Sequence, residues 1–286
     1  MNTAKFRAPA NGSFRLTDYS TSHKGSPSKE EATALLEKNS KRMHLLQEKL
    51  YAQNTWGLLI VLQALDAAGK DSLIEHVMSG INPQGCEVHS FKRPSDEELD
   101  HDFMWRTAKR VPERGRIGIF NRSYYEEMLV VRVHPEFLAR QRLPAGLITK
   151  HIWRDRAEDI NAFERYLTRN GIAVLKFFLH VSREEQRRRF LARIEEPEKN
   201  WKFAPADVEE RAHWRDYMRA YDEAVRRTST SDAPWYVVPA DQKWFSRLLV
   251  SQVIVERLED MKLAFPRLDR KRRAELQRIR QQLLED

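Results

Sequence analysis

The almost wholly apolar run from Gly57 to Leu65 ends in Asp66-Ala67-Ala68-Gly69-Lys70-Asp71-Ser72, and this junction constrains the fold more than any other stretch of the chain. A strand this apolar has no polar face to offer to water, so it belongs in the middle of a sheet covered on both sides. The small side chains that follow let successive backbone N–H groups converge on an anion. The N-terminus of the next helix adds partial positive charge, and a lysine neutralises phosphate. The sequence therefore predicts a phosphate-binding loop in which Ala67, Ala68, Gly69, Asp71 and Ser72 surround the anion and Lys70 supplies the charge. The pattern departs from G-x-x-x-x-G-K-[ST]: Ala64 takes the place of the first glycine, Asp71 that of the hydroxyl residue, and Ser72 comes one position late. Asp66 puts a negative charge where phosphates bind, which makes sense chiefly when a metal ion or a basic partner lies between them. The plain alternative is an ordinary strand-to-helix turn with a solvated lysine.

Four further apolar runs, about 86–91, 116–121, 172–181 and 235–239, join 57–65 as expected strands, rich in Val, Ile, Leu and Phe. Helical patterning separates them at about 70–79, 96–110, 123–131, 145–169, 183–195 and 206–228, after a first long helix opened by the Ser28/Glu31 capping box. Strand–helix alternation of this kind predicts a three-layer αβα fold on a five-stranded parallel sheet, with the site at the carboxyl ends of the strands. Residues 1–27 read as an irregular basic arm, 28–265 as one domain with a helical lid over about 183–228, and 266–286 as a basic C-terminal helix.

Net charge is +8 with a pI near 9.5, so a polyanionic partner is expected. Cys86 stands alone, which excludes an internal disulfide and a cysteine-based zinc site. The nine histidines show no metal-binding spacing, and no RNA-recognition, zinc-finger or G-x-G-x-x-G signature is present. With neither a signal-like N-terminus nor an apolar run of membrane-spanning length, the expectation is a cytoplasmic protein without a membrane or nucleic-acid partner.

Three clusters carry the chemistry. The third strand ends in Asn121-Arg122-Ser123-Tyr124-Tyr125-Glu126, where Asn121 can ligate through oxygen, Arg122 can clamp phosphoryl oxygens, and Glu126 can orient the arginine or simply form a surface pair. The second strand ends in Lys92 and Arg93, followed by Arg106 and Arg110 at i, i+4 on the next expected helix. Together these form a row of cations that suits an extended polyphosphate, or else a solvated helix face. After the fourth strand come Arg187, Arg188, Arg189 and Arg193, then Lys202, in the position of a lid that closes over phosphates.

Taken together, Leu65–Ser72, Met78–Gly85, Ser90-Phe91-Lys92, Asp100–Arg106, Phe120–Glu126 and Lys199–Lys202 resemble the family-2 polyphosphate kinases, most closely the class III members that act on nucleoside mono- and diphosphates. The likeness runs from about residue 30 to about 260. It implies a thymidylate-kinase-like P-loop fold, magnesium, and reversible phosphoryl transfer between inorganic polyphosphate and AMP or ADP. On that footing Asp66 holds magnesium or activates the acceptor. Lys70, Arg122 and the lid arginines stabilise the moving group, Lys92, Arg106 and Arg110 hold the polyphosphate, and Tyr125 joins the ligand contacts. Asn121 stands where other branches carry aspartate, which shifts metal duty towards Asp66. A homo-oligomer, dimer or tetramer, is the expected assembly. The rival readings are an ATP-dependent nucleoside monophosphate kinase and a non-catalytic polyanion-binding protein, which would have no use for Asp66.

Overall fold

The structure, a computed structural model, describes residues 1–285. Five parallel strands, β1 (Gly57–Ala64), β2 (Cys86–Ser90), β3 (Ile117–Asn121), β4 (Ile172–His180) and β5 (Trp235–Pro239), form one sheet in the order β2-β3-β1-β4-β5. All eight residues of β1 and all nine of β4 are buried, Gln63, Lys176 and His180 among them, as strands covered on both faces require. The β1 side chains divide between two cores. Leu58, Ile60 and Leu62 face one layer of helices, and Leu59 and Val61 face the other.

The helices are α1 (Lys29–Gln53), α2 (Lys70–Val77), α3 (Asp96–Leu99), α4 (Trp105–Ala108), α5 (Val130–Val133), α6 (Glu136–Ala139), α7 (Ile152–Arg169), α8 (Arg183–Glu195), α9 (Pro205–Ala212), α10 (Trp214–Thr228), α11 (Lys243–Asp260) and α12 (Arg270–Glu285). The capping box at Ser28 and Glu31 is formed and opens α1. None of these helices is long and apolar enough to cross a membrane.

Several elements differ from the sequence expectation. The helix expected over 96–110 is two short helices, because Asp102 accepts the backbone N–H of Met104 at 2.9 Å in a local turn that competes with helix continuation. Residues 123–131 form a 3-10 turn, Tyr124–Glu127, before α5. Pro144 and Gly146 delay the helix expected from 145 until Ile152. The helix expected over 206–228 breaks at His213 into α9 and α10. α11 was not legible as a helix. Its Leu-Leu-Val and Val-Ile-Val runs are apolar around much of the helix and leave no amphipathic period, since it lies buried beside α1. There the side chain of Asn39 donates to Ser251 at 3.0 Å.

The N-terminal arm carries two 3-10 turns, Ala4–Phe6 and Leu16–Asp18, and is packed against the domain. Phe6, Ala8, Phe14 and Leu16 are buried, and Arg7 bridges antiparallel to Tyr236 at the β5 edge. By contrast, α12 buries no side chain.

Candidate active site

Parallel strands deliver their carboxyl ends to one edge. Leu62 of β1 lies beside Asn121 of β3, which in turn lies beside Ser90 of β2. The loop after β1 therefore opens between the ends of β3 and β4, the place where such sheets bind ligands.

Gly69 caps α2 with φ +105°, a conformation that L side chains avoid, and Ala67 is also left-handed at φ +60°. The first helical bond runs from Leu73 N–H to the Gly69 carbonyl at 3.0 Å, so the N–H groups just before Leu73 have no partner within the helix. The Lys70 ammonium donates to the Ala64 carbonyl at 2.8 Å. Burial pulls its pKa below the ordinary lysine range, and the nearby Asp66 opposes that shift.

Arg122 has φ +64° and donates its backbone N–H to the Leu62 carbonyl at 3.1 Å. A left-handed conformation at a non-glycine residue costs roughly 1–2 kcal/mol. It aims the guanidinium across the loop, where it donates to Asp66 Oδ1 at 2.8 Å. Burial works against the Arg122 charge, but Glu126 and Asp66 outweigh it and hold the pKa above the usual arginine value. Burial raises the Glu126 carboxyl against the pull of Arg122 and Lys70. The Gln63 amide, oriented to satisfy both of its ends, donates to Glu126 at 2.8 Å and accepts from Ser123 at 3.0 Å.

Arg122 and Glu126 form a shared wall between two cavities. One, about 140 Å³, lies under the lid between Asp66 and the side chains of Asp207, Glu210, Arg211, Tyr217 and Tyr221. The other, about 250 Å³, is largely apolar and is lined by Phe91, Phe103, Val131 and Phe137, with Lys92, Arg93 and Arg106 at its edge.

The lid meets the loop through Arg189. Its guanidinium donates to the carbonyls of Ala67 at 3.0 Å, Ala68 at 2.7 Å, Ala240 at 2.6 Å and Asp241 at 3.2 Å, while Nε reaches Glu185 at 2.7 Å. Gln186 adds a bond to the Asp66 carbonyl at 3.0 Å. One helix face of α8 thus clamps the outside of the loop.

The other residues singled out in the sequence fall into distinct positions. The Asn121 amide donates to Asp71 at 2.7 Å, tying the end of β3 to the first turn of α2. The hydroxyl of Ser72 accepts from Arg247 at 2.8 Å. Arg188 is 70% exposed and paired with Glu185, and Arg187 points to solvent. Arg193 donates to the Lys202 carbonyl at 3.1 Å, and the Lys202 ammonium lies 4.9 Å from the Trp201 ring centroid.

Two expectations need correction. Tyr125 is fully buried with its hydroxyl engaged in the core, so it offers no surface to a ligand. The row of free cations on one helix is not formed. Arg106 is bound to Glu98 at 3.1 Å and to the Lys92 carbonyl at 2.6 Å, and Arg110 lies beyond the end of α4, exposed. A different cationic group gathers beside α2. Lys243 feels the charges of Arg189, Arg247 and Lys199, and burial together with these neighbours lowers its pKa. Sequence reading passed over Lys243 and Arg247 because the helix that presents them was not recognised. Asp207, Glu210, Arg211 and Tyr217 were missed as well, since nothing local distinguishes them from a solvated helix face.

Among the described residues, no three or more His, Cys, Asp or Glu side chains cluster to hold a metal. Magnesium is commonly held by one or two carboxylates plus substrate phosphates. Asp66 fits that habit, with a side chain 34% exposed at the mouth and Oδ2 without a hydrogen-bond partner among the described residues.

A parallel sheet with a lysine-bearing anion loop after β1, an arginine at the end of the neighbouring strand, and a helical lid define a P-loop phosphotransferase of the kinase type. Residues 26–266 match the family described as Polyphosphate kinase 2, and the chain belongs to it. It is 55% identical over 258 residues to an ADP-polyphosphate phosphotransferase of Rhodopseudomonas palustris, covering 90% of this chain and 89% of the relative. An AMP/ADP-polyphosphate phosphotransferase of Meiothermus ruber is 43% identical over 267 residues, with 92% and 95% covered. The crystal structure of Polyphosphate Kinase 2 from Arthrobacter aurescens superposes with a TM-score of 0.89 at 37% identity, over 100% of this chain and 98% of that one.

Proposed function

We propose that this protein transfers phosphoryl groups between inorganic polyphosphate and the adenine nucleotides AMP and ADP, with magnesium. The observation that carries the reading is the position of Arg122, which faces Asp66 across the anion loop and also walls a largely apolar cavity wide enough for a nucleoside. The relatives from Rhodopseudomonas and Meiothermus are named for ADP and for AMP and ADP, which supports adenine nucleotides as partners. In this reading the nucleoside lies among Phe91, Phe103 and Phe137, and its terminal phosphate points to Arg122.

Polyphosphate reaches the loop from the side of Lys243, Arg247 and Lys199, where cations already crowd one another and a polyanion relieves their repulsion. The donor's terminal phosphate rests on the N–H groups at the start of α2. Lys70 swings from the Ala64 carbonyl to the transferring oxygens, and Arg122 balances the charge that shifts onto them. Magnesium, held by Asp66 and the phosphates, would neutralise charge on the phosphoryl oxygens and orient them in line. The lid excludes water, which would otherwise hydrolyse the polyphosphate.

A cytoplasmic location and a homo-oligomer belong to the same proposal. Leu276 and Leu283, seven residues apart on α12 and exposed, offer an apolar stripe to a second copy.

The test is donor choice. Purified protein with magnesium and AMP or ADP is expected to form ADP and ATP from polyphosphate. Transfer to AMP from ATP alone, with none from polyphosphate, would overturn the reading.

A further inference from the structure

β4 carries a lysine in the middle of Ile172-Ala173-Val174-Leu175-Lys176-Phe177-Phe178-Leu179, among the most apolar stretches of the chain. The Lys176 side chain is 0% exposed and its partner Glu164, on α7, 1%. A buried ion pair is no more stabilising than well-packed apolar side chains of similar volume, so stability alone does not account for it.

Its bonds are particular. The Lys176 ammonium has three protons and three acceptors: Glu164 Oε2 at 2.5 Å, the Thr228 carbonyl at 2.6 Å and the Tyr125 hydroxyl at 3.0 Å. The other Glu164 oxygen accepts from the hydroxyls of Tyr124 and Tyr125, both at 2.9 Å. Tyr124 and Tyr125 stand between Arg122 and Glu126, the shared wall of the two cavities. Thr228 is the last residue of α10, whose Tyr217 and Tyr221 line the cavity under the lid. Trp235 completes the unit, donating to Thr228 Oγ1 at 2.9 Å and packing edge-on against Tyr125 with ring centroids 4.7 Å apart.

We propose that the buried Lys176–Glu164 pair is a positioning device for phosphoryl transfer. Through the two tyrosine hydroxyls it holds the Arg122–Glu126 segment in place, and through the Thr228 carbonyl it couples that segment to the end of the lid. The left-handed backbone of Arg122 needs such support, because strained residues persist only where their surroundings over-determine them. The pair touches no reacting atom. Its role is to fix where the guanidinium stands when the lid closes. The inference rests on the function proposed above in assigning Arg122 to the chemistry.

The test removes hydroxyls rather than charges, so that the fold survives. Tyr124→Phe with Tyr125→Phe is expected to lower kcat at least tenfold while the KM values for nucleotide and polyphosphate stay within twofold. In an Arg122→Ala background the same double change is expected to alter kcat by less than twofold, since the group being positioned is gone. The Glu164→Gln/Lys176→Met variant, which removes both charges together, is expected to reproduce the kcat loss. Hydrogen exchange reads the device independently of any activity, with amides of residues 122–128 and 225–229 exchanging about tenfold faster in the tyrosine variant while those of β1 do not change. Exchange rising equally in β1, or unchanged at 122–128, would overturn the proposal. So would an equal fold-loss of kcat in the wild-type and Arg122→Ala backgrounds. A wild type that transfers nothing from polyphosphate would sink the proposed function instead, and the exchange result would still decide the positioning role.

Discussion

Arg122 donates to Asp66 across the anion loop at 2.8 Å, joining the end of β3 to the first residue after Leu65. Both side chains are about one-third exposed, 38% and 34%, so the pair contributes little to stability and is available to exchange partners. On the proposed function, a phosphate entering the loop would compete for Arg122 and free Asp66 for a metal ion. In that proposal the contact is the resting state of two groups that separate when substrate binds.

Asp66→Asn keeps the size and removes the charge. Transfer is expected to fall at least a hundredfold, while polyphosphate binding measured by titration is unchanged or slightly tighter, because a repulsive carboxylate has gone. Equal losses of binding and turnover would reduce Asp66 to a structural residue.

Lys70→Ala removes the one ammonium at the head of α2. Losing a preorganised charge donor costs about 3 kcal/mol in the transition state, a hundredfold or more in kcat. Stability should hardly change, since burial already disfavours the Lys70 charge. Steady-state kinetics beside a thermal melt check both statements, and near-normal turnover would remove the loop from the mechanism.

Arg189→Ala is expected to differ from both. It strips donors from four backbone carbonyls on the loop and after β5, and buried acceptors left unpaired cost about 1–3 kcal/mol each. A stability loss of at least about 4 kcal/mol in urea unfolding should accompany the loss of activity. Arg189→Lys should recover little, for an ammonium cannot reproduce the planar fork. Unchanged stability would show that the loop holds its shape alone.

Lys243→Ala and Arg247→Ala should raise the KM for long polyphosphate more than that for ADP, with the effect shrinking as salt rises. Arg106→Ala should do the reverse, since Arg106 borders the apolar cavity. The opposite assignment of these two effects would return polyphosphate to the β2 side.

His180, at the end of β4, provides a pH test. Burial pushes its pKa down to about 4 against the pull of Asp241. The unfolded chain, titrating near the ordinary 6.5, therefore binds the proton first on acidification. The stability contributed by neutral His180 is full above pH 6.5 and is lost as pH falls towards 4. That loss amounts to about 3 kcal/mol. Relative to wild type, His180→Gln should flatten this limb of the urea stability profile between pH 7 and 4, and an unaltered slope would contradict the burial argument.

All five strands were legible, to within about two residues at either end: β1, β3, β4 and β5 because strands covered on both faces are mostly apolar, and β2, a half-exposed edge strand, from its place in the strand–helix alternation. The loop was legible for a local reason too: its backbone geometry needs small residues and Gly69 in series, and its lysine follows directly. Short helices were less so. Asp102, Gly146 and His213 interrupt runs whose apolar spacing still reads as continuous helix. α11 escaped for the opposite reason, since it is too apolar to show a period.

What the sequence by itself determined was the sheet, the small-residue loop with Asp66 and Lys70, and the family, for each of these is written in contiguous residues. Only the tertiary structure decided which charges remain at the site. Five arginines of α8 look alike in sequence, yet Arg189 alone is turned into the loop, while Arg188 pairs with its helix neighbour Glu185 in solvent. Arg106 is paired with Glu98 and donates to a carbonyl 14 residues upstream, Tyr125 is taken into the core by Glu164 and Lys176, and Arg247 arrives at Ser72 from 175 residues away. The physical reason is the same in each case. The fate of a long polar side chain depends on which acceptors lie within about 3 Å of its end once the chain is packed, and spacing along the sequence does not encode that distance.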